Sequence, residues 1–228
     1  MKKSVEFNLE STLAQQCFQQ LQAEIIQGIL KPGEKLKVKP IKQRFGIGQS
    51  PVREALSKLS AFGLVKIEEN KGFRVAPVSL ADIYDTYKTF TSIENMALAL
   101  AIELGDDDWE AQIVAQLHKL SNIELAETQI PLTIWIEQNY NFHLALISGC
   151  GSANLLEIRH HLYMKFDRYC QMSYQLLKHN LHDNNQAHQE LARAVLQRDS
   201  NQAKKLITAH INEPLEDIIK KFKNHNWL

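Results

Sequence analysis

Three histidines have the side-chain type and spacing for metal chemistry. His143 stands beside Phe142 and Leu146, His188 one helical turn from Leu191, and His210 one turn from Leu206 and Ile207. Three imidazoles projecting from apolar faces of three helices form the ligand set of a divalent transition metal, zinc or nickel. Other positions on such a metal are left to a carboxylate, an amide, water or a small acidic ligand. Asn139, one turn before His143, is the amide in reach. The same rings would also serve as hydrogen-bonded members of a polar core, since spacing along the chain does not show that three helices converge. His118, His160, His161, His179, His182 and His225 read as ordinary, partly exposed histidines.

A metal-dependent hydrolase or lyase would need a general base beside the cluster. Glu137 falls on a different side of its helix from His143, and no Ser-His-Asp set or glycine-rich phosphate loop occurs. The chain is therefore not expected to be an enzyme.

A second constellation lies near the N-terminus. Gly46-Ile47-Gly48-Gln49-Ser50-Pro51-Val52-Arg53-Glu54-Ala55-Leu56 reads as a tight turn followed by a short helix. Ser50 is placed to cap it and Pro51 suits its first position, having no N–H to orphan. Val52, Ala55, Leu56 and Leu59 recur at helical spacing and face a core. Gln49, Arg53, Ser57 and Ser60 make the opposite, polar face, the build of a recognition helix for the major groove. Arg53 has the fork for guanine O6 and N7, and Gln49 favours adenine. Ser50 is expected to grip phosphate. Two β-prone runs, Lys66-Ile67-Glu68-Glu69 and Phe73-Arg74-Val75, flank Asn70-Lys71-Gly72 and form a wing. Lys71 and Gly72 would approach the minor groove from its tip. Lys35, Lys37, Lys42 and Arg74 read as phosphate neutralisers or solvated charge.

Charge is distributed accordingly. The 228 residues carry no net charge, yet residues 1–79 hold 13 Lys and Arg against 7 Asp and Glu, a net of +6, and the remainder is at −6. A basic head on an acidic body suits DNA binding by the head alone. Cys17, Cys150 and Cys170 are too few and too scattered for a disulfide framework, consistent with a reducing cytoplasm. No apolar run approaches membrane-spanning length.

The elements that must position these groups follow from periodicity. Residues 1–10 read as a loose arm, followed by a helix from Ser11 to Gln27 and another from Lys37 to Phe45. After the wing, Pro77-Val78-Ser79 is a linker, and Ser79 with Asp82 marks a helix start. From there the pattern is all helix: Leu80 to Leu104, one opened by Asp106-Asp107-Asp108, one begun by Pro131, and a long one from Ala153 to Lys178. Asp183, then Asp199 or Ser200, cap two more, and Glu213-Pro214 opens the last. The fold is thus expected to be mainly α: a winged helix-turn-helix over residues 1–76, a linker at 77–79, and an all-helical bundle of six or seven helices over 80–228.

Together the Pro32-Gly33 turn, Ser50-Pro51-Val52-Arg53-Glu54-Ala55-Leu56, the Gly63-Leu64-Val65 step and the Lys71-Gly72 wing resemble the GntR family of bacterial transcription regulators. The body resembles the FCD ligand-binding domain of its FadR-type branch. The resemblance implies a homodimer on a near-palindromic operator, most often a repressor, released by a small carboxylate effector. A constitutive DNA binder without an effector is the other reading, against which the size of the body speaks. In the family, Lys39 and Gln49 stand where relatives often carry arginines. The metal-binding members use an Asp, a His four residues later, a second His, and a third about two dozen residues on. Asn139, His143, His188 and His210 fall on those positions, with Asn139 in place of the Asp. An arginine that many members carry early in the first body helix stands here as Phe90, so an acidic effector would need another cation, for which Arg159 and Arg168 are the candidates. Gly105-Asp106-Asp107-Asp108-Trp109-Glu110, Gly149-Cys150-Gly151-Ser152 and Val195-Leu196-Gln197-Arg198-Asp199 are similar to the glutarate-responsive, carbon-starvation-induced repressors of this family.

Overall fold

The computed structural model describes residues 12–69, 71–126, 130–174 and 181–228, the side chains of 174 and 181–183 excepted. The arm expected at 1–10, Asn70 in the wing tip, His179 and the side chain of His182 lie outside the described residues. By packing, the chain forms two compact units. The first comprises the described parts of Met1–Thr86, His161–Leu177 and Asp217–Leu228; the second comprises those of Tyr87–His160 and Lys178–Glu216.

In the first unit, α1 (Leu13–Ile26), β1 (Lys35–Leu36), α2 (Val38–Phe45), α3 (Gln49–Ala61), β2 (Val65–Glu68) and β3 (Gly72–Val75) follow in order. Cys17, Leu21 and Ile25 of α1 and Val52, Ala55, Leu56 and Leu59 of α3 are buried in one cluster, as the helical spacing requires. Gly46 closes α2 in the left-handed region, at φ 65°, which turns the chain sharply into α3. The helix begins two residues earlier than the Ser-Pro signal suggests. Gly48 is its N-cap and no side chain caps it, so Ser50 lies inside the first turn with its hydroxyl exposed. Pro51 remains within that turn, where its missing N–H costs nothing.

The wing is an antiparallel pair of β2 and β3, with Ile67 opposite Phe73 and Glu68 opposite Gly72. A third strand joins it: Lys35 and Leu36 pair with Arg74 and Phe73, giving the order β1-β3-β2. Two residues carry no strand signal of their own. Pairing with β3 makes them a strand.

The remaining helices are α4 (Leu80–Leu104), α5 (Asp107–Glu124), α6 (Leu132–Ser148), α7 (Ala153–Tyr174), α8 (Leu181–Leu196), α9 (Ser200–Asn212) and α10 (Leu215–Asn224). Their starts are marked by short-range bonds. Ser79 Oγ accepts from Asp82 N, Asp106 from Trp109 N and Asp199 from Gln202 N. Asp183 lies within α8 rather than at its start. Among the described residues no helix is long and apolar enough to cross a membrane.

The first unit runs past residues 77–79, and bonds from α7 tie it together there. Arg168 of α7, about 1% exposed, donates from Nη2 to the Ala76 carbonyl at 2.7 Å. Asp82 of α4 accepts from Lys165 Nζ and from the Tyr169 hydroxyl. Tyr169 in turn packs edge-on against Phe222 of α10, with centroids 6.1 Å apart. Burial comes first in lowering the Arg168 pKa to about 10.

In the second unit, Trp109 Nε1 donates to the Ala145 carbonyl, tying α5 to α6. Arg198, just beyond α8, reaches the carbonyls of Ile102 and Gly105 and the Glu110 carboxylate. These bonds fix the helices that carry the histidines.

Candidate functional site

His143 on α6, His188 on α8 and His210 on α9 converge, their candidate ligand nitrogens all within 4.8 Å of one another. His188 is fully buried; the other two are half-buried. His188 Nε2 lies 3.2 Å from His210 Nε2, and the His143 ring stacks on His210 at 5.0 Å between centroids. Burial first, then the neighbouring rings, drives His143 well below its ordinary 6.5 and His210 down to about 3. Both are therefore neutral at physiological pH, the form in which imidazole ligates a metal. Asn139 lies one turn before His143, and its Oδ1 is enclosed without a hydrogen-bond partner. An enclosed acceptor one turn from a cluster of three imidazoles fits a cation. The 3.2 Å separation also suits an N–H···N bond between His188 and His210, the alternative role for these rings. His210 Nδ1 has no hydrogen-bond partner.

Two glutamates join this region that the sequence does not single out. Glu124, at the end of α5, accepts from Trp135 Nε1 at 3.0 Å and meets His188 Nδ1 at 3.0 Å. Glu94, on α4, pairs with Arg159 Nε at 2.7 Å, both side chains being almost wholly buried. Burial raises the Glu94 pKa and Arg159 opposes the rise. The Arg159 guanidinium lies 5.5 Å from the Phe90 ring centroid and 5.3 Å from that of Tyr140. Arg159 of α7 thus lies beside Phe90, and its charge contributes to the low His143 pKa. Arg168 has a different setting. It belongs to the first unit, bonded to Ala76, whereas the histidines belong to the second. An arginine's carbonyl partner 92 residues away leaves no local signal.

On the head, Gln49, Ser50 and Arg53 are exposed on α3, Lys39 is exposed on α2, and Lys71 and Gly72 are exposed at the wing. Gly72 has φ 91°, a conformation that favours glycine at this turn. Arg74 is not a solvated charge. It bonds Glu68 at 2.9 Å and donates to the Gly33 carbonyl, bracing the three strands. Arg44, which the sequence reading passed over, pairs with Glu24 at 2.9 Å and stacks over Phe45.

Comparison with known proteins assigns these two regions. The family described as bacterial regulatory proteins, gntR family, matches residues 13–75, and the FCD domain matches residues 85–213. The HTH-type transcriptional repressor GlaR of Escherichia coli (strain K12) is 36% identical over 203 residues, covering 86% of this chain and 90% of that protein. The uncharacterized HTH-type transcriptional regulator BphR of Paraburkholderia xenovorans (strain LB400) is 32% identical over 216 residues, 92% of this chain and 86% of that one. The solved structure of E. coli McbR/YncC shares the fold, with a TM-score of 0.76 at 21% identity over 93% of this chain and 99% of that one. The gntR and FCD matches make the chain a DNA-binding transcriptional regulator rather than an enzyme. It belongs to the GntR family of bacterial transcriptional regulators, with an FCD domain as its helical body.

Proposed function

We propose that this regulator is a homodimeric repressor that holds one divalent transition metal, zinc or nickel, and leaves its operator when a small carboxylate binds beside that metal. The observation that carries the reading is the convergence of three imidazoles, with the enclosed Asn139 Oδ1 one helical turn before His143. His143, His188 and His210 would hold the ion, with Asn139 as a neutral fourth ligand. When bound, the metal supplies open positions to an acidic ligand. Arg159 is the cation proposed to orient that ligand's carboxylate. Its neighbours Phe90 and Tyr140 exclude water there and strengthen the attraction.

Thermal-shift titration of small carboxylates on zinc-loaded and on chelated protein tests this, because only a ligand preferring the folded state raises the midpoint. The expected hit stabilises the loaded form and lowers operator affinity; by linkage, operator DNA weakens its binding by the same factor. Protein purified without chelator that contains no metal, and gains nothing from added zinc, would make the cluster a hydrogen-bonded polar core. The His188–His210 distance is what favours that second reading.

Operator reading is assigned to Arg53 and Gln49 in the major groove, with Lys39 adding a less directional contact and Ser50 gripping phosphate. Lys71 and Gly72 approach the minor groove. Arg53→Ala is expected to cost about 1–3 kcal/mol of operator binding and to relax one base position. Lys71→Ala should weaken all sequences alike and reduce the salt slope by about one. Binding isotherms on single-base operator variants at several salt concentrations separate the two. A pair of heads is required because one short helix reads too few bases, so sedimentation of the protein–operator complex should give two chains per site.

A further inference from the structure

We infer that Glu124 is the positioning residue of the histidine site, holding His188 by Nδ1 and supplying from behind it the negative charge that Asn139 cannot. This rests on the metal reading above. The Glu124 and His188 side chains are both fully buried, with Oε1 at 3.0 Å and Oε2 at 3.3 Å from Nδ1. Trp135 Nε1, which can only donate, reaches the same Oε1 at 3.0 Å. With Trp135 donating to Oε1, the direction inferred for the second contact is from His188 Nδ1–H to the carboxylate. An imidazole that donates Nδ1–H to it keeps its Nε2 lone pair, and Nε2 is the atom turned toward His210.

Charge makes the second half of the argument. Three imidazoles and an amide oxygen are all neutral, so a divalent ion among them has no anion in direct contact. Glu94, the other buried carboxylate among the described residues of the second unit, is matched by Arg159. Among the described residues, Glu124 is the carboxylate bonded to a member of the cluster. The negative charge that an aspartate would provide at position 139 thus comes from the end of α5 instead.

Substitutions separate this role from simple packing. Because both donors meet Oε1, Glu124→Gln can keep both bonds and remove only the charge, whereas Glu124→Leu removes the acceptors as well. Zinc affinity is measured by chelator competition for wild type, E124Q, N139D and the N139D/E124Q double variant, with circular dichroism to verify folding. E124Q is expected to bind zinc about 10–100-fold more weakly than wild type. The double variant should regain most of that loss, a rescue that a packing role does not predict. Nitrogen-15 spectra of metal-free wild type should show His188 protonated at Nδ1, a test that needs no variant, and E124L should lose that preference. Wild-type protein that binds no zinc overturns the metal reading and this proposal together. Zinc binding to E124Q as tight as to wild type, absence of rescue in the double variant, or His188 protonated at Nε2 in metal-free wild type overturns the proposal and leaves the metal reading standing.

Discussion

His188→Ala is expected to abolish zinc binding and with it the stabilisation that zinc confers. The ring is fully buried within the cluster, 3.2 Å from His210 by one nitrogen and 3.0 Å from Glu124 by the other. Its loss leaves two imidazoles and a neutral amide, which is too poor a set for a buried divalent ion. A ligand present at about a hundredfold its Kd stabilises a folded protein by about 2.7 kcal/mol. Wild type should show a shift of that order on zinc addition, and the variant none. The metal-free variant should also melt earlier, since Glu124 loses one of its donors inside the protein, a defect worth about 1–3 kcal/mol. Elemental analysis together with melting curves, with and without zinc, measures both. Metal retained by the variant at wild-type stoichiometry would place the ion elsewhere.

Arg159→Leu should be more damaging to the fold itself. Both partners of the Arg159–Glu94 pair are buried, and removing one leaves the other uncompensated, at a cost of about 3–5 kcal/mol. The effect carries a pH signature. Burial already holds the Glu94 pKa above its ordinary 4.5, and without the guanidinium it must climb further. A carboxyl with a raised folded pKa binds more protons folded than unfolded, so stability falls as pH rises from about 4.5 through the folded value. The deficit of the variant against wild type is therefore greatest at neutral pH and narrows on acidification. Adding Glu94→Gln should recover much of it. Chemical denaturation at several pH values decides the matter: a variant as stable as wild type at neutral pH, or a deficit unaffected by acid and by Glu94→Gln, would show that the pair is not a buried charge couple.

Much of the head was legible without coordinates because its signals are local. The spacing of Val52, Ala55, Leu56 and Leu59 determines which face of α3 is buried, and Gly46 determines where α2 must end. Asp106 and Asp199 cap their helices through bonds that span three residues, a distance at which side-chain type alone is informative. The same holds for the histidines as members of apolar helical faces. Their convergence is another matter, because it depends on how three helices pack.

Tertiary structure decided the rest, and it did so where partners are far apart in the chain. Lys35 and Leu36 are a strand only because β3 offers them hydrogen bonds. Arg159 and Arg168 look alike on one helix, yet packing gives the first to a glutamate 65 residues away and the second to a carbonyl 92 residues away. Glu124 resembles any acidic residue at a helix end until α8 delivers His188 to it across 64 residues. Helical periodicity reports which side of a helix turns inward. It cannot report what meets that side, because that is set by the register between elements, and the buried polar partners are chosen only when those elements dock.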